Sequence, residues 1–330
     1  EKFNGIFAFA IYDEKEKRVV LARDAMGVKP LFYSNKNSTF IFGSEIKTLL
    51  KHPLVEAVVD RDGLTELFAL GPANLPGSCV YRDIKELKPG ELLVVKEDGI
   101  FNDMYYKLIA KEFNESESEA VEHTRELLID AIKRQLVGDV PLCTFLSGGL
   151  DSSAISAIAA EEYKKKNKIL TTYSIEYEDN EKYFKSSLFQ PTSDKYYSEV
   201  MAKFIGSDHR ICELNHVDLV NYLDESLIAK DLPGMADVDS SLYLFCKEIK
   251  RDFVIGISGE CADEIFAGYP WFTNPDMINA TTFPWSRYVK ERGDILNDNY
   301  RSLKIEEVAN NAYMDTLKEV PTLLGESKED

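Results

Sequence analysis

The chain has 330 residues, enough for two domains of about 150 residues each. At 44% hydrophobic and 29% charged it can bury a sizeable core, which excludes global disorder. Its net charge of −18 argues against nucleic acid or an anionic membrane as partner, since both reward clustered Lys and Arg. No apolar run approaches the roughly 20 residues of a membrane span. The first residue is Glu1, not Met, and strand-like sequence begins within four residues, so we expect neither a signal peptide nor a natural start.

In chain order, Gly5 to about Tyr106 reads as strands and turns. Phe7, Phe9 and Ile11 alternate with Ala8 and Ala10; Val19–Leu21 and Phe40–Phe42 follow. Asn35-Lys36-Asn37 and Glu97-Asp98-Gly99 read as turns, and short helices fit Ser44–Leu50 and Arg61–Leu70. The polar stretch Lys107–Glu119 suits a linker. Beyond it the pattern becomes alternating helix and strand. A helix capped by Ser116 or Ser118 runs to Leu136, then a strand Pro141–Leu146, a Gly-rich turn and a helix Ser152–Tyr163. Strands Leu170–Ile175, Arg210–Leu214 and Phe253–Ile257 follow, separated by helices Lys195–Ile205, Val217–Ala229 and Ser240–Lys250. That rhythm predicts right-handed crossovers and a parallel sheet. After Tyr269 the chain is irregular and aromatic, then helical.

The five cysteines (Cys79, Cys143, Cys212, Cys246, Cys261) are scattered without a CxxC pair, so neither a disulfide framework nor a structural zinc site is expected. At least four of them read as small buried hydrophobes in a reducing cytoplasm. His52, His123, His209 and His216 lack ligand spacing and read as surface or turn residues. Asp237 and Asp239 read as helix caps or as pocket-lining groups. Trp271 and Trp285 are expected to pack the rim of the sheet.

Two motifs carry chemistry. Ser147-Gly148-Gly149-Leu150-Asp151-Ser152-Ser153 joins an apolar strand to a helix. Its glycines let backbone amides turn toward an anion, its serines add donors, and the helix start adds partial positive charge. Asp151 repels phosphate unless a cation intervenes, which points to Mg²⁺. The bland alternative is an ordinary strand–helix turn. The Walker pattern GxxxxGK[ST] does not occur. Ser258-Gly259-Glu260-Cys261-Ala262-Asp263-Glu264 follows another apolar strand, so both loops should lie on one rim of the sheet. Its acidic residues could complete a metal site or act on a nucleophile; alternatively they are first-turn charges on a helix.

The first motif resembles the pyrophosphate-binding loop of ATP pyrophosphatases, and SGECADEIFAGYPWF resembles the acidic motif of glutamine-dependent asparagine synthetases. Gly5–Asp13, Arg23–Tyr33 and Ile84–Gly90 resemble late strands of the class II glutamine amidotransferase domain. The resemblance implies an α/β chain with an incomplete β-rich (αββα-type) amidotransferase domain over 1–110. A doubly wound, parallel-sheet ATP pyrophosphatase domain, incomplete at its C-terminus, would occupy 111–330. It further implies an amide ligase that makes asparagine from aspartate, ATP and ammonia through β-aspartyl-AMP, with no nucleic-acid or membrane partner, and it is compatible with a homodimer. On the same scaffold stand β-lactam synthetases and other amidotransferases, and a nucleotide-binding pseudo-enzyme is the non-catalytic alternative.

Carried over by position, Ser147, Gly148, Gly149, Ser152 and Ser153 would cradle pyrophosphate, and Asp151 and Asp263 would hold Mg²⁺. Phe145, Leu146 and Ile175 would line the adenine and ribose pocket or simply pack the strand ends. Ser258 and Gly259 would contact the nucleotide, and Glu260 would support adenylation and attack by ammonia. The family's glutaminase uses an N-terminal cysteine, and none lies near Glu1. Cys79, without a paired base, is no substitute. The chain as written is therefore expected not to hydrolyse glutamine and to be cut at both ends.

Overall fold

The computed structural model describes residues 3–186 and 192–320. It resolves into two compact units. One is built from the described residues of Glu1–Glu112 and Asn279–Asp330, the other from those of Phe113–Ile278.

The first unit contains, in chain order, β1 (Ala8–Asp13), β2 (Arg18–Arg23), β3 (Phe32–Lys36), β4 (Thr39–Gly43), α1 (Ile46–Leu50), α2 (Arg61–Leu70), β5 (Lys85–Glu86), β6 (Glu91–Lys96) and β7 (Gly99–Met104). They form two antiparallel sheets, β1-β2-β6-β7 and β4-β3-β5. Leu21, Leu31, Leu87 and Leu93 form a core to which both sheets contribute. The expected turn at Asn35–Asn37 lies slightly later. Strand β3 runs through Lys36, which pairs with Thr39, and Asn37 and Ser38 both adopt positive φ (51° and 60°), as a type I′ hairpin requires.

The Arg23–Tyr33 stretch folds as a buried polar corner. Asp24 accepts hydrogen bonds from the amides of Val28 and Lys29 (each 2.9 Å). Arg23 donates to the carbonyls of Leu87 (2.6 Å) and Lys29 (2.8 Å) and pairs with Glu86 (2.9 Å), so neither buried charge lacks a partner. Helix α2 begins at Asp60, whose side chain accepts from the Gly63 amide. Its far end packs on chain from the other end of the sequence: Ala69 and Leu70 share a core with Val289, Leu296, Leu303, Ile305, Ala309 and Ala312. The helices involved are Val289–Asp294 and Ile305–Glu319. Trp285, which the sequence reading placed on the rim of the sheet, belongs to this unit and stacks on Phe283 (4.9 Å between centroids).

The second unit contains α3 (Glu117–Gln135), β8 (Leu142–Phe145), α4 (Leu150–Lys165), β9 (Thr171–Tyr177), α5 (Asn180–Tyr183), α6 (Asp194–Ile205), β10 (Asp208–Leu214), α7 (His216–Asn221), α8 (Leu223–Lys230), α9 (Ala236–Ile249), β11 (Ile255–Ile257), α10 (Ala262–Phe266) and α11 (Pro275–Ile278). Ser116 caps α3 with a full capping box to Glu119, one of the two candidates expected. The four strands are parallel in the order β10-β9-β8-β11. Both faces are covered. Leu142 joins Ile132, Leu136 and Ala159 of α3 and α4 on one side, while Cys143 joins Phe245 and Ile249 of α9 on the other. This is the doubly wound sheet the sequence predicts.

Two helical expectations change in detail. The single helix expected over Val217–Ala229 breaks at Tyr222, whose ring meets that of Tyr243 at a tilt (6.0 Å between centroids) and whose hydroxyl takes a hydrogen bond from Lys247 (3.0 Å), both on α9. Nor do Asp237 and Asp239 cap α9. They lie in its first turn behind Met235, and Asp239 pairs with Lys230 (3.1 Å).

Candidate active site

Strands β8 and β11 are neighbours in the sheet although they are the first and last of the four in sequence, with β9 and β10 continuing outward from β8. The winding direction therefore reverses between them. In open α/β sheets that switch point, beyond the carboxyl ends of the strands, is where ligands bind. The loops leaving β8 and β11 are the two motifs.

The first loop is held by its own groups and by α6. The Ser147 amide donates to Ser152 Oγ (3.2 Å), the two hydroxyls are 3.0 Å apart, and Ser152 Oγ donates to the Gly149 carbonyl (3.3 Å). Ser152 is buried and spends its hydroxyl on loop shape, whereas Ser147 and Gly149 are exposed and Ser153 is half-buried. Gly148 has φ +88°, and a Cβ there would lie 2.5 Å from the Ser198 amide nitrogen and 2.6 Å from the Tyr197 carbonyl carbon. Only glycine meets both demands. Gly149 occupies the cap position of α4, whose 16 residues present their unpaired first-turn amides at the loop.

The second loop closes on the first. A Cβ on Gly259 would sit 3.0 Å from Asp151 Cβ and 3.1 Å from the Ser152 amide, so the backbone of one motif lies against the helix start of the other. Burial, and after it the nearby charge of Asp263, hold the Asp151 carboxyl above its ordinary range. The two carboxylates that the sequence analysis paired therefore influence each other electrostatically. Among the described residues no group of three or more His, Cys, Asp or Glu side chains forms a cation cage. A carboxylate pair fits the way Mg²⁺ is commonly held, by one or two carboxylates with substrate phosphates. Glu260 is exposed, its amide donating to Ser258 Oγ (3.3 Å).

Tyr269, which the sequence analysis passed over, stands beside this acidic motif and stacks on Trp271 (4.1 Å between centroids). Burial and then the charge of Glu264 push its phenol up to about 12. The signal for it was its place directly after the motif.

Of the adenine-pocket candidates, Leu146 is 0% exposed, so only its backbone can face a ligand, and its amide already donates to the Tyr173 carbonyl (2.7 Å). Phe145 and Ile175 pack on the core around Tyr173 and Phe245, with the Phe145 ring edge-on to Phe245 at 4.8 Å. The packing alternative left open for these three residues therefore holds for their side chains.

The five cysteines are free, but Cys143 and Cys212 are buried, Cys79 is half-buried and Cys246 and Cys261 are exposed, so fewer than the expected four are core residues. Burial pushes Cys79, Cys143 and Cys212 up to about 11, the opposite of an activated nucleophile. His209 departs from the surface reading. It is half-buried, with Nδ1 2.9 Å from Thr172 Oγ1 and Nε2 3.3 Å from Ser174 Oγ.

A doubly wound sheet with a glycine- and serine-rich loop and an acidic loop meeting at its switch point defines an α/β domain whose two motifs lie where open α/β sheets bind their ligands. Comparison with known proteins makes the assignment specific. The pattern of the asparagine synthase family matches residues 123–330, and that of a glutamine amidotransferase domain matches residues 1–106. The chain belongs to the asparagine synthase family. It is 50% identical over 329 residues to the glutamine-hydrolyzing asparagine synthetase 3 of Bacillus subtilis, covering 99% of this chain and 53% of that one. It is 30% identical to the putative asparagine synthetase 2 of Methanocaldococcus jannaschii (82% of this chain, 50% of that one) and to the Bos taurus asparagine synthetase (82% and 46%). The chain spans about half the length of the curated relatives it matches.

Proposed function

We propose that the protein activates the side-chain carboxylate of aspartate with ATP and delivers ammonia to it, so that it is an asparagine-forming carbon–nitrogen ligase. The observation that carries the reading is the contact of Gly259 with Asp151 and Ser152, which joins a phosphate-cradling loop to an acidic loop at the switch point.

Aspartate is a poor acyl donor because oxide does not leave. Attack of its side-chain oxygen on the α-phosphorus breaks the α–β anhydride bond, releases pyrophosphate and forms β-aspartyl-AMP. Ammonia then attacks the acyl carbon, loses a proton, and AMP departs with the C–O bond electrons. Ser147, Gly148, Gly149 and the first amides of α4, with Ser152 fixing the loop and Ser153 beside it, would hold the leaving pyrophosphate. Preorganised donors of this kind stabilise charge that grows in the transition state. Mg²⁺ held by Asp151 and Asp263 together with phosphate oxygens would supply further neutralisation of that charge. Ser258 and Gly259 would border the nucleotide, with the Leu146 backbone and the edges of Phe145 and Ile175 below it. Exposed Glu260 would accept the proton that ammonia sheds.

Ammonia would come from glutamine in the intact protein, the reading supported by the match to an amidotransferase domain. Free cysteines fit a reducing cytoplasm, and no helix among the described residues is long and apolar enough to cross a membrane.

ATP–pyrophosphate exchange measured on the full-length protein, with aspartate and a panel of other carboxylic acids, tests the proposal. Exchange is expected with aspartate. Exchange confined to another acid would overturn the asparagine reading, and exchange with none would leave a nucleotide-binding scaffold.

A further inference from the structure

The carboxylate of Asp263 is bounded on one side by a residue that no motif reading singled out. Helix α10 ends at Ala267, which takes a left-handed conformation (φ +55°) and turns the chain back on the helix. The next residue, Gly268, donates its amide to the Asp263 carbonyl (3.0 Å). A Cβ built on Gly268 would overlap Asp263 Oδ1, lie 2.9 Å from Cγ and 3.3 Å from Cα. Gly268 does not itself have positive φ. Alanine would therefore suit its backbone, and what would yield is the carboxylate.

We propose that Gly268 is a positioning residue for the cation-holding pair: the space left by its missing side chain fixes the rotamer of the Asp263 carboxylate. The idea rests on the reading of Asp151 and Asp263 as the groups that hold a divalent ion with the nucleotide. On the opposite side of the pair Gly259 plays a matching part, its Cα hydrogen standing where a Cβ would press on Asp151 Cβ at 3.0 Å. Each of the two residues is thus bordered by a position without a side chain, Gly268 beside Asp263 and Gly259 beside Asp151. Groups that merely orient a ligand typically change metal affinity by about 10–100-fold when altered.

The test is Mn²⁺ binding to the full-length protein saturated with α,β-methylene ATP, followed by electron paramagnetic resonance, with thermal melting of the metal-free protein alongside. Gly268→Ala is expected to weaken Mn²⁺ by at least about tenfold while melting is unchanged. Asp263→Asn serves as the reference for full loss. Undiminished Mn²⁺ affinity in Gly268→Ala would overturn the inference but leave the cation-pair reading intact. Weakened binding accompanied by a lowered melting temperature would show a structural glycine and overturn it too. No Mn²⁺ binding by the unsubstituted protein would remove the cation pair itself, and this inference with it.

Discussion

Gly148 and Tyr197 come so close that a single methyl group on the glycine would lie 2.6 Å from the Tyr197 carbonyl carbon. The Ser147–Ser153 loop is therefore shaped from outside as well as from within, by a helix about 50 residues further along the chain. Gly148→Ala should cost about 1–3 kcal/mol for its left-handed backbone alone, with steric overlap added, and should abolish ATP binding. Denaturant unfolding and a nucleotide-binding assay check both parts. Retained nucleotide affinity would mean that the loop tolerates displacement and is not a precise cradle.

Asp151 separates chemistry from folding. Because burial, and after it the charge of Asp263, disfavours its ionised carboxyl, Asp151→Ala removes an unfavourable charge from the metal-free protein. Its melting temperature should stay level or rise, while ATP–pyrophosphate exchange disappears. Residual exchange in this variant would take Asp151 out of the site.

At the start of α3, Ser116 Oγ accepts from the Glu119 amide while Glu119 accepts from the Ser116 amide (2.9 Å). Loss of such a cap costs about 1 kcal/mol, which in a domain of this size shifts melting by about 2–4 °C. Ser116→Ala should show that shift with unchanged exchange activity, because the cap is far from the motifs in sequence and serves only the helix.

Leu70 is 3% exposed in the core that α2 shares with the C-terminal helices. Leu70→Ala should destabilise that unit by about 2–5 kcal/mol. Hydrogen exchange is the discriminating measurement. Protection should fall in α2 and in Ile305–Glu319 but not in β8 or β9, and a uniform loss across all four would show that the two ends of the chain are not one local core.

Burial lowers the pKa of His209, against the opposing charges of Glu199 and Asp208. The unfolded chain therefore binds the proton more readily than the folded one, so this residue's contribution to stability is complete above about pH 6.5 and is lost as pH falls through that value toward the lower folded one. Melting curves of the wild type and of His209→Asn between pH 7.5 and 5 should diverge, the wild type falling more steeply. Parallel curves would show that the imidazole titrates in both states alike.

The identity of the two loops and the parallel sheet were both legible in the sequence, because each rests on local information. Pro141–Leu146 and Phe253–Ile257 announce themselves by apolar runs, and Ser147–Ser153 by its glycines and serines between a strand and a helix. Ser116 and Ser118 both signal a helix start ahead of an apolar face at helical spacing, and the structure chooses Ser116. What only tertiary structure decided are relations between segments distant in sequence. Strand order, not pattern, makes β8 and β11 neighbours and puts their loops at the switch point. Ser152 and Leu146 have the right chemistry for a ligand, but packing turns the first into loop scaffolding and buries the second's side chain. Residues after Asn279 look like an aromatic and helical continuation of the second domain, yet they build a core with Ala69 and Leu70, since an apolar helix face is satisfied by any complementary face the chain can bring to it. The −18 charge that opens the sequence argues against polyanionic partners without locating any one carboxylate; only the fold buries Asp151 in part and brings the charge of Asp263 to bear on it.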